Sequence, residues 1–284
     1  MDKLEIDLNR IIRSRIGGWK GRLIPGFLIS ALERLVHQKE LNATLDATYP
    51  AEGTAFAEAV YEYFDLTLDV RGMENIPDSG RFIFASNHPL GGLDGIGLIK
   101  VLGSRYGDDG IRFLVNDMLM NVEPLRPVFL PINKYGSQGR QAAKAIAEAY
   151  ASDMQMLIFP AGLVSRLHPD GKIRDLSWQK SFIQKAIEYE RDIIPVRFEG
   201  LNRNRFYRTA WWRKRLGVKI NIEQAMLPAE LCAARGNSYR VIFGRPVSWR
   251  QLADRLAAGA TPAALAAEIR TAVHTLSHPK MPEA

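Results

Sequence analysis

Asn87 and His88 close a strand-like run, Phe82-Ile83-Phe84-Ala85-Ser86, and a glycine-containing turn then leads to Asp94. Histidine is the side chain best suited to act as a base near neutral pH. A carboxylate that accepts a hydrogen bond from one ring nitrogen fixes the tautomer and leaves the other nitrogen free to take a proton. Such a pair needs no serine or cysteine nucleophile when the substrate brings its own hydroxyl. General-base help of this kind is worth roughly 10²–10⁴ in rate. The plain alternative is a turn histidine followed by a helix cap, and spacing alone leaves both open.

Other chemistries fit the sequence less well. Gly92, Gly95 and Gly97 lack the spacing of a dinucleotide fingerprint, and no Gly-Lys-Ser/Thr phosphate loop occurs. His37, His168, His274 and His278 are scattered, so a metal site built on His88 and Asp94 has no obvious further ligands. The single cysteine, Cys232, excludes an intrachain disulfide and a multi-cysteine zinc site. A cytosol-facing protein is the simplest expectation, and no secretory signal is visible at the start.

A histidine and a carboxylate can meet only if regular elements hold them. From about Phe64 the pattern alternates between strand and helix. Strands are expected over residues 66–71, 81–86, 112–115, 128–132, 154–159, 193–198, 218–223 and 239–243. Helices are expected over residues 137–150, capped by Ser137, over 177–189, capped by Ser177, and over 262–276, capped by Thr261 with Pro262 at the first position. The alternation argues for an α/β domain with a largely parallel, mixed sheet flanked by helices, whose sites gather beyond the strand ends.

The N-terminal stretch differs. Leu4, Leu8, Ile11, Ile12 and Ile16 recur at helical spacing among Arg10, Arg13 and Arg15. Gly17 and Gly18 interrupt the pattern, and a second apolar helix follows from about Leu23 to Val36. Such an amphipathic pair suits a membrane interface or a helical hairpin packed on the main domain. Residues 1–63 are therefore read as an N-terminal helical, membrane-interfacial segment and residues 64–284 as the α/β domain. A length of 284 residues allows about two domains, at roughly 150 residues each, or one with an appendage. The apolar stretch from Leu23 to Leu32 is too short to span a bilayer.

The chain carries 38 Lys and Arg against 31 Asp and Glu, a net charge of +7. Between Arg203 and Lys219 lie seven basic residues and no acidic one, with Phe206, Tyr207, Trp211 and Trp212 among them. That composition suits an anionic lipid surface or a single-stranded nucleic acid. A solvated basic loop with its aromatics in the core is the plain alternative.

The stretch around His88 resembles the first motif of the glycerophospholipid acyltransferase superfamily, an Asn-His followed by an Asp. Phe129-Leu130-Pro131-Ile132-Asn133-Lys134 resembles the second motif, and Phe159-Pro160-Ala161-Gly162-Leu163-Val164-Ser165-Arg166 the third. Ile193-Ile194-Pro195-Val196 resembles the fourth. Residues 89–93 make the His-to-Asp spacing one residue longer than the family's. Ala161 stands where the family usually has a glutamate associated with the glycerol-phosphate acceptor. The Phe-Pro-Ala-Gly form is similar to the aminolipid branch, which includes lyso-ornithine lipid acyltransferases and proteins called hemolysin-like. The acceptor there is the hydroxyl of an N-acylated amino acid.

The resemblance implies a membrane-associated O-acyltransferase. His88 would be the general base and Asp94 its orienting carboxylate. Asn133, Lys134, Gly162 and Arg166 would contact the acceptor. Backbone N–H groups following Gly91 would face the thioester oxygen. No cofactor is implied. The co-substrate is acyl-CoA or acyl-carrier protein, whose acidity suits a basic face. A lyso-lipid acceptor and an anionic membrane surface complete the partners, without nucleic acid, at the cytoplasmic face of the membrane. Two alternatives stand beside this reading: a lysophosphatidic acid acyltransferase, and a non-catalytic membrane-binding module of the same fold.

Overall fold

The computed structural model describes residues 5–16, 25–132, 139–218 and 221–277. Its centre is the strand that precedes His88. Strand β2 (Phe82–Ser86) is buried at every position. A strand covered on both faces reads as a continuous apolar run rather than an alternation. Phe82 and Phe84 point to one face, Ile83 and Ala85 to the other, and each pair joins a separate apolar cluster.

Seven strands form the sheet: β1 (Thr67–Arg71), β2, β3 (Ile111–Asn116), β4 (Phe129–Ile132), β5 (Gln155–Ile158), β8 (Asp192–Glu199) and β9 (Ser238–Phe243), in the order β1-β9-β8-β2-β5-β3-β4. All neighbours are parallel except β8 and β9, so β1 and β9 run against the other five. Phe84 is level with Leu157 of β5 and Ile194 of β8, which fixes the register at the centre. This is the largely parallel, mixed α/β sheet expected from the alternation.

Helices cover both faces. On the Phe84 side lie α3 (Gln38–Thr48), α4 (Gly53–Tyr63) and α5 (Gly92–Tyr106). On the Ile83 side lie α6 (Arg140–Ala151), α7 (Ser181–Glu188), α10 (Trp249–Ala257) and α11 (Pro262–Thr275). Thr261 caps α11 by accepting from the Ala264 N–H at 3.2 Å. Upstream, α1 (Leu8–Ile16) and α2 (Gly26–Leu35) occupy the stretch expected to form an amphipathic pair. Leu45 of α3 and Phe56, Ala57, Val60 and Tyr61 of α4 share a core with the sheet. The change in sequence pattern at residue 64 thus marks the start of the strands, while the core runs across it.

Two expected elements differ. Residues 218–223 are not a strand where described: a turn at Gly217 (φ 70°) gives way to a 3₁₀ turn, Ile222–Met226. The reason is Glu223, which is fully buried on two arginines, a demand that overrides the apolar alternation. Helix α7 begins at Ser181 rather than after Ser177, because Trp178 is held back by a hydrogen bond to Asp175. The cap expected at Ser137 lies outside the described residues. A two-stranded hairpin, β6 (Arg166–Leu167) with β7 (Ile173–Arg174), had no sequence signal long enough to read.

One buried cation ties the sheet to its helices. Arg191 is fully buried and donates to the carbonyls of Phe82, Ala149, Tyr150, Ser152 and Met154. These carbonyls belong to the last turn of α6, the loop that follows it and the start of β2.

Candidate active site

The site begins where β2 stops. Asn87 imitates the missing strand residue with its side chain: Nδ2 donates to the Phe198 carbonyl at 2.9 Å, and the Phe198 N–H donates to Oδ1 at 2.7 Å. The ladder to β8 is thereby closed by an amide, and the main chain is free to leave the sheet at His88. This gives a physical reason for asparagine before the histidine.

The loop of residues 89–93 then folds back onto Asp94. Asp94 is the third residue of α5 and is completely buried. Its Oδ2 accepts from the Leu90 N–H at 2.8 Å and the Gly91 N–H at 3.3 Å. Gly91 has φ 91°, and a Cβ there would come within 2.8 Å of Leu227. The extra residue is therefore absorbed at a glycine in the positive-φ region. The same Oδ2 lies 3.1 Å from Nδ1 of His88. Tyr61 supports the floor, its hydroxyl directed at the Leu93 carbonyl 3.4 Å away. Burial, with Asp94 nearby, pushes the Tyr61 phenol well above its ordinary range.

The other face of the imidazole rests on Phe159, the residue after β5. The two rings are stacked with centroids 3.8 Å apart and planes 17° from parallel. Phe113 of β3 meets Phe159 edge-on at 5.2 Å. Gly95 permits this, because a Cβ there would lie 2.9 Å from Phe113. β2 and β5 are adjacent and parallel, so the first and third motifs emerge side by side at their C-terminal ends. His88 remains 16% exposed at its side chain, within reach of a substrate.

The third motif is a tight turn followed by β6. Gly162 has φ 64°, and its N–H returns to the Phe159 carbonyl at 2.9 Å, a conformation that favours glycine. Ala161 is buried. Arg166 does not stand free. Its Nη2 is 3.0 Å from Oε1 of Glu223, its Nη1 donates to the Val164 carbonyl, and its guanidinium lies over the Phe206 ring. Arg213 approaches the other oxygen of Glu223 at 2.8 Å. Burial lowers the Arg166 pKa, Glu223 opposes that effect, and Arg213 adds to it. Asn133 and Lys134 lie outside the described residues.

Two carboxylates were not singled out from the sequence. Glu223 sat in a segment that scanned as a strand. Asp175 stands between Arg174 and Trp178. Arg174 pairs with Asp170, both of whose oxygens it contacts. Asp175 is fully buried beneath His88. Neither carboxylate shows a local pattern, because each is defined by partners distant along the chain.

The site can therefore hold an imidazole in one tautomer, with Nδ1–H donating to Asp94 and Nε2 available as an acceptor. The sequence model of the acyltransferase family matches residues 14–266. This chain belongs to the acyltransferase family. It is 41% identical over 271 residues to a lyso-glycine lipid O-acyltransferase of Phocaeicola vulgatus, covering 95% of each chain. It is 42% identical to a lyso-glycine lipid O-acyltransferase of Bacteroides thetaiotaomicron, covering 95% of this chain and 97% of that one. Among solved structures, the 1-acyl-sn-glycerophosphate acyltransferase of Thermotoga maritima matches with a TM-score of 0.45 at 16% identity, over 87% of this chain and 89% of that one. The acyltransferase is thus an enzyme of acyl transfer, as its motifs implied.

Proposed function

We propose that this acyltransferase moves a fatty acyl group from an acyl thioester to the hydroxyl of a lyso-aminolipid, with an N-acylated glycine as the favoured acceptor. The observation that carries the reading is the His88–Asp94 pair, formed at 3.1 Å despite the lengthened loop and backed by Phe159. The names of the two relatives support the acceptor. So does Ala161, which offers no carboxylate where a glycerol-phosphate acceptor would be held.

In this reading Nε2 of His88 takes the proton of the acceptor hydroxyl as its oxygen attacks the thioester carbonyl. Asp94 holds the imidazolium that forms. The tetrahedral oxyanion collapses, the C–S bond breaks, and the imidazolium returns its proton to the leaving thiolate. The Leu90, Gly91 and Gly95 amides already donate to Asp94, so donors for the oxyanion come from Gly92 and Leu93, at the start of α5.

The lipid substrate places the enzyme at a membrane surface. Among the described residues no helix is long and apolar enough to cross one. The basic segment forms α8 (Asn204–Arg215), which buries Phe206, Tyr207 and Ala210. Arg208, Lys214 and Arg215 stay exposed. Trp212, Leu216, Val218 and Ile222 line an open groove of about 490 Å³ beside Arg205 and Arg208. Helix α2 packs on the 222–226 turn and leaves Phe27 71% exposed. Cations beside exposed apolar side chains suit an anionic bilayer surface.

The purified enzyme and His88→Ala would be incubated with acyl-CoA or acyl-carrier protein. The acceptors would be N-acyl glycine, N-acyl ornithine and lysophosphatidic acid, with products read by mass spectrometry. A His88-dependent diacyl glycine lipid is expected. A His88-dependent phosphatidic acid as sole product would overturn the acceptor, and undiminished activity in His88→Ala would overturn the base.

A further inference from the structure

The acyl-transfer chemistry uses one buried carboxylate, Asp94, yet a second, Asp175, accepts from the main chain of the same histidine. We propose that Asp175 is a positioning residue for the reaction, holding the His88 main chain against the third-motif loop. This rests on the reading of His88 as the base.

The contacts form a closed ring. Oδ1 of Asp175 accepts the His88 N–H at 3.2 Å and the Ser165 hydroxyl at 2.5 Å. The Ser165 N–H in turn donates to the His88 carbonyl at 2.7 Å. His88 is thus gripped through both its main-chain polar groups by two residues that also grip each other. Oδ2 of Asp175 accepts the Trp178 indole N–H at 2.9 Å, and the Asp175 carbonyl accepts from Arg270 of α11 at 2.6 Å. The ring is therefore anchored to the helical layer on the Ile83 face.

The residue type follows from the donors. Three N–H or O–H groups converge on one side chain. An ionised carboxylate is acceptor-only, with about four lone-pair sites, and takes all three without offering a donor of its own. An amide would turn its NH₂ toward one of them. A buried carboxylate costs several kcal/mol unless it is fully hydrogen-bonded, so a mere spacer here would more simply be apolar. What the carboxylate provides is a fixed His88 backbone, and with it the placing of the ring on Phe159 and of Nδ1 on Asp94. Catalytic groups misplaced by about 1 Å can lose about 10²-fold in rate.

The test uses Asp175→Asn, Trp178→Phe and the double variant, with activity normalised to the folded fraction from thermal melts. In Asp175→Asn the side-chain NH₂ opposes the indole N–H. We expect kcat to fall about 10–100-fold with KM for both substrates within about twofold. Trp178→Phe removes the opposing donor, so the double variant should recover to within about threefold of Trp178→Phe alone. A full kcat per folded molecule in Asp175→Asn, a loss confined to KM, or no recovery in the double variant would each overturn the proposal. If Asp175→Asn does not fold, Ser165→Ala opens the same ring with the carboxylate in place. A roughly tenfold fall in its kcat supports the proposal, and an unchanged kcat overturns it. His88→Ala is measured alongside. An active His88→Ala removes the reading on which the proposal rests, whereas an inactive one beside a fully active Asp175→Asn overturns the positioning role alone.

Discussion

The Arg166 guanidinium lies 3.0 Å from Glu223, a carboxylate wholly out of water, and Arg213 of α8 lies 2.8 Å from the other oxygen of the same group. The third motif is thereby pinned to the basic helix. Arg166 is committed to this pin, which bears on its expected part in binding the acceptor. Removing one partner of a buried ion pair typically costs about 3–5 kcal/mol, because the remaining charge is left uncompensated. Glu223→Gln should therefore destabilise the protein by about 3 kcal/mol in urea denaturation, near the low end since both guanidiniums reach solvent slightly. A second change, Arg213→Met, should restore part of that loss. A cost under about 0.5 kcal/mol would show that the pin contributes nothing.

Asp94→Asn keeps the shape of the site and changes its donors. The Leu90 and Gly91 amides and His88 Nδ1 all meet Oδ2, so the retained amide oxygen stays there and the NH₂ is set against the Gly95 N–H, which donates to Oδ1 at 2.9 Å. The imidazole then keeps an acceptor at Nδ1 but loses the negative charge that stabilises the imidazolium formed in the reaction. We expect kcat to drop about 10²–10⁴-fold while far-UV circular dichroism stays unchanged. A wild-type rate would remove Asp94 from the orienting role.

His274 gives the stability a pH dependence. Its pKa is lowered, chiefly by burial, with Arg270, Arg197 and Arg174 adding to the effect and Asp175 opposing it. Nε2 of His274 is buried without a hydrogen-bond partner among the described residues. The unfolded chain takes up this proton near pH 6.5, before the folded chain does. Between the two values the unfolded state binds more protons, so stability falls as pH drops below about 6.5. Urea midpoints at pH 5, 6 and 7 should decline more steeply for the wild type than for His274→Phe. Parallel declines would assign the acid sensitivity to other groups.

The outer face of α8 should carry the bilayer contact. Each Lys or Arg near an anionic surface contributes about 1 kcal/mol. Replacing Arg208, Lys214 and Arg215 together by Ala should weaken co-sedimentation with phosphatidylserine-containing vesicles roughly 10²-fold at low salt, and much less at high salt. Trp212→Ala should weaken the salt-insensitive part. Arg213 is left out of this set because Glu223 holds it inside. Unchanged binding in both variants would move the contact to another face, with α2 and its exposed Phe27 the next to test.

The sequence by itself determined the sheet and named His88 and Asp94 as candidates, while spacing left their contact open. A strand buried on both faces reads as a near-continuous apolar run, as Phe82–Ala85 does, and an asparagine, a histidine and a nearby carboxylate carry their chemistry in their side-chain types. All seven strands of the sheet were legible, β2, β5 and the middle of β8 for that reason and β3 by its alternation. Tertiary structure alone decided the rest. Glu223 and Asp175 meet arginines, a histidine, a serine and a tryptophan that lie 3 to 95 residues away along the chain. Residues 218–223 scan as a strand because local alternation cannot register that one carboxylate is wanted in the interior by Arg166 and Arg213. Trp178 likewise fits a helix face by periodicity, and a hydrogen bond to Asp175 keeps it out of the helix. Periodicity reports how a segment meets solvent, whereas a buried charge is placed by the charges and donors brought to it, and only the folded chain brings them together.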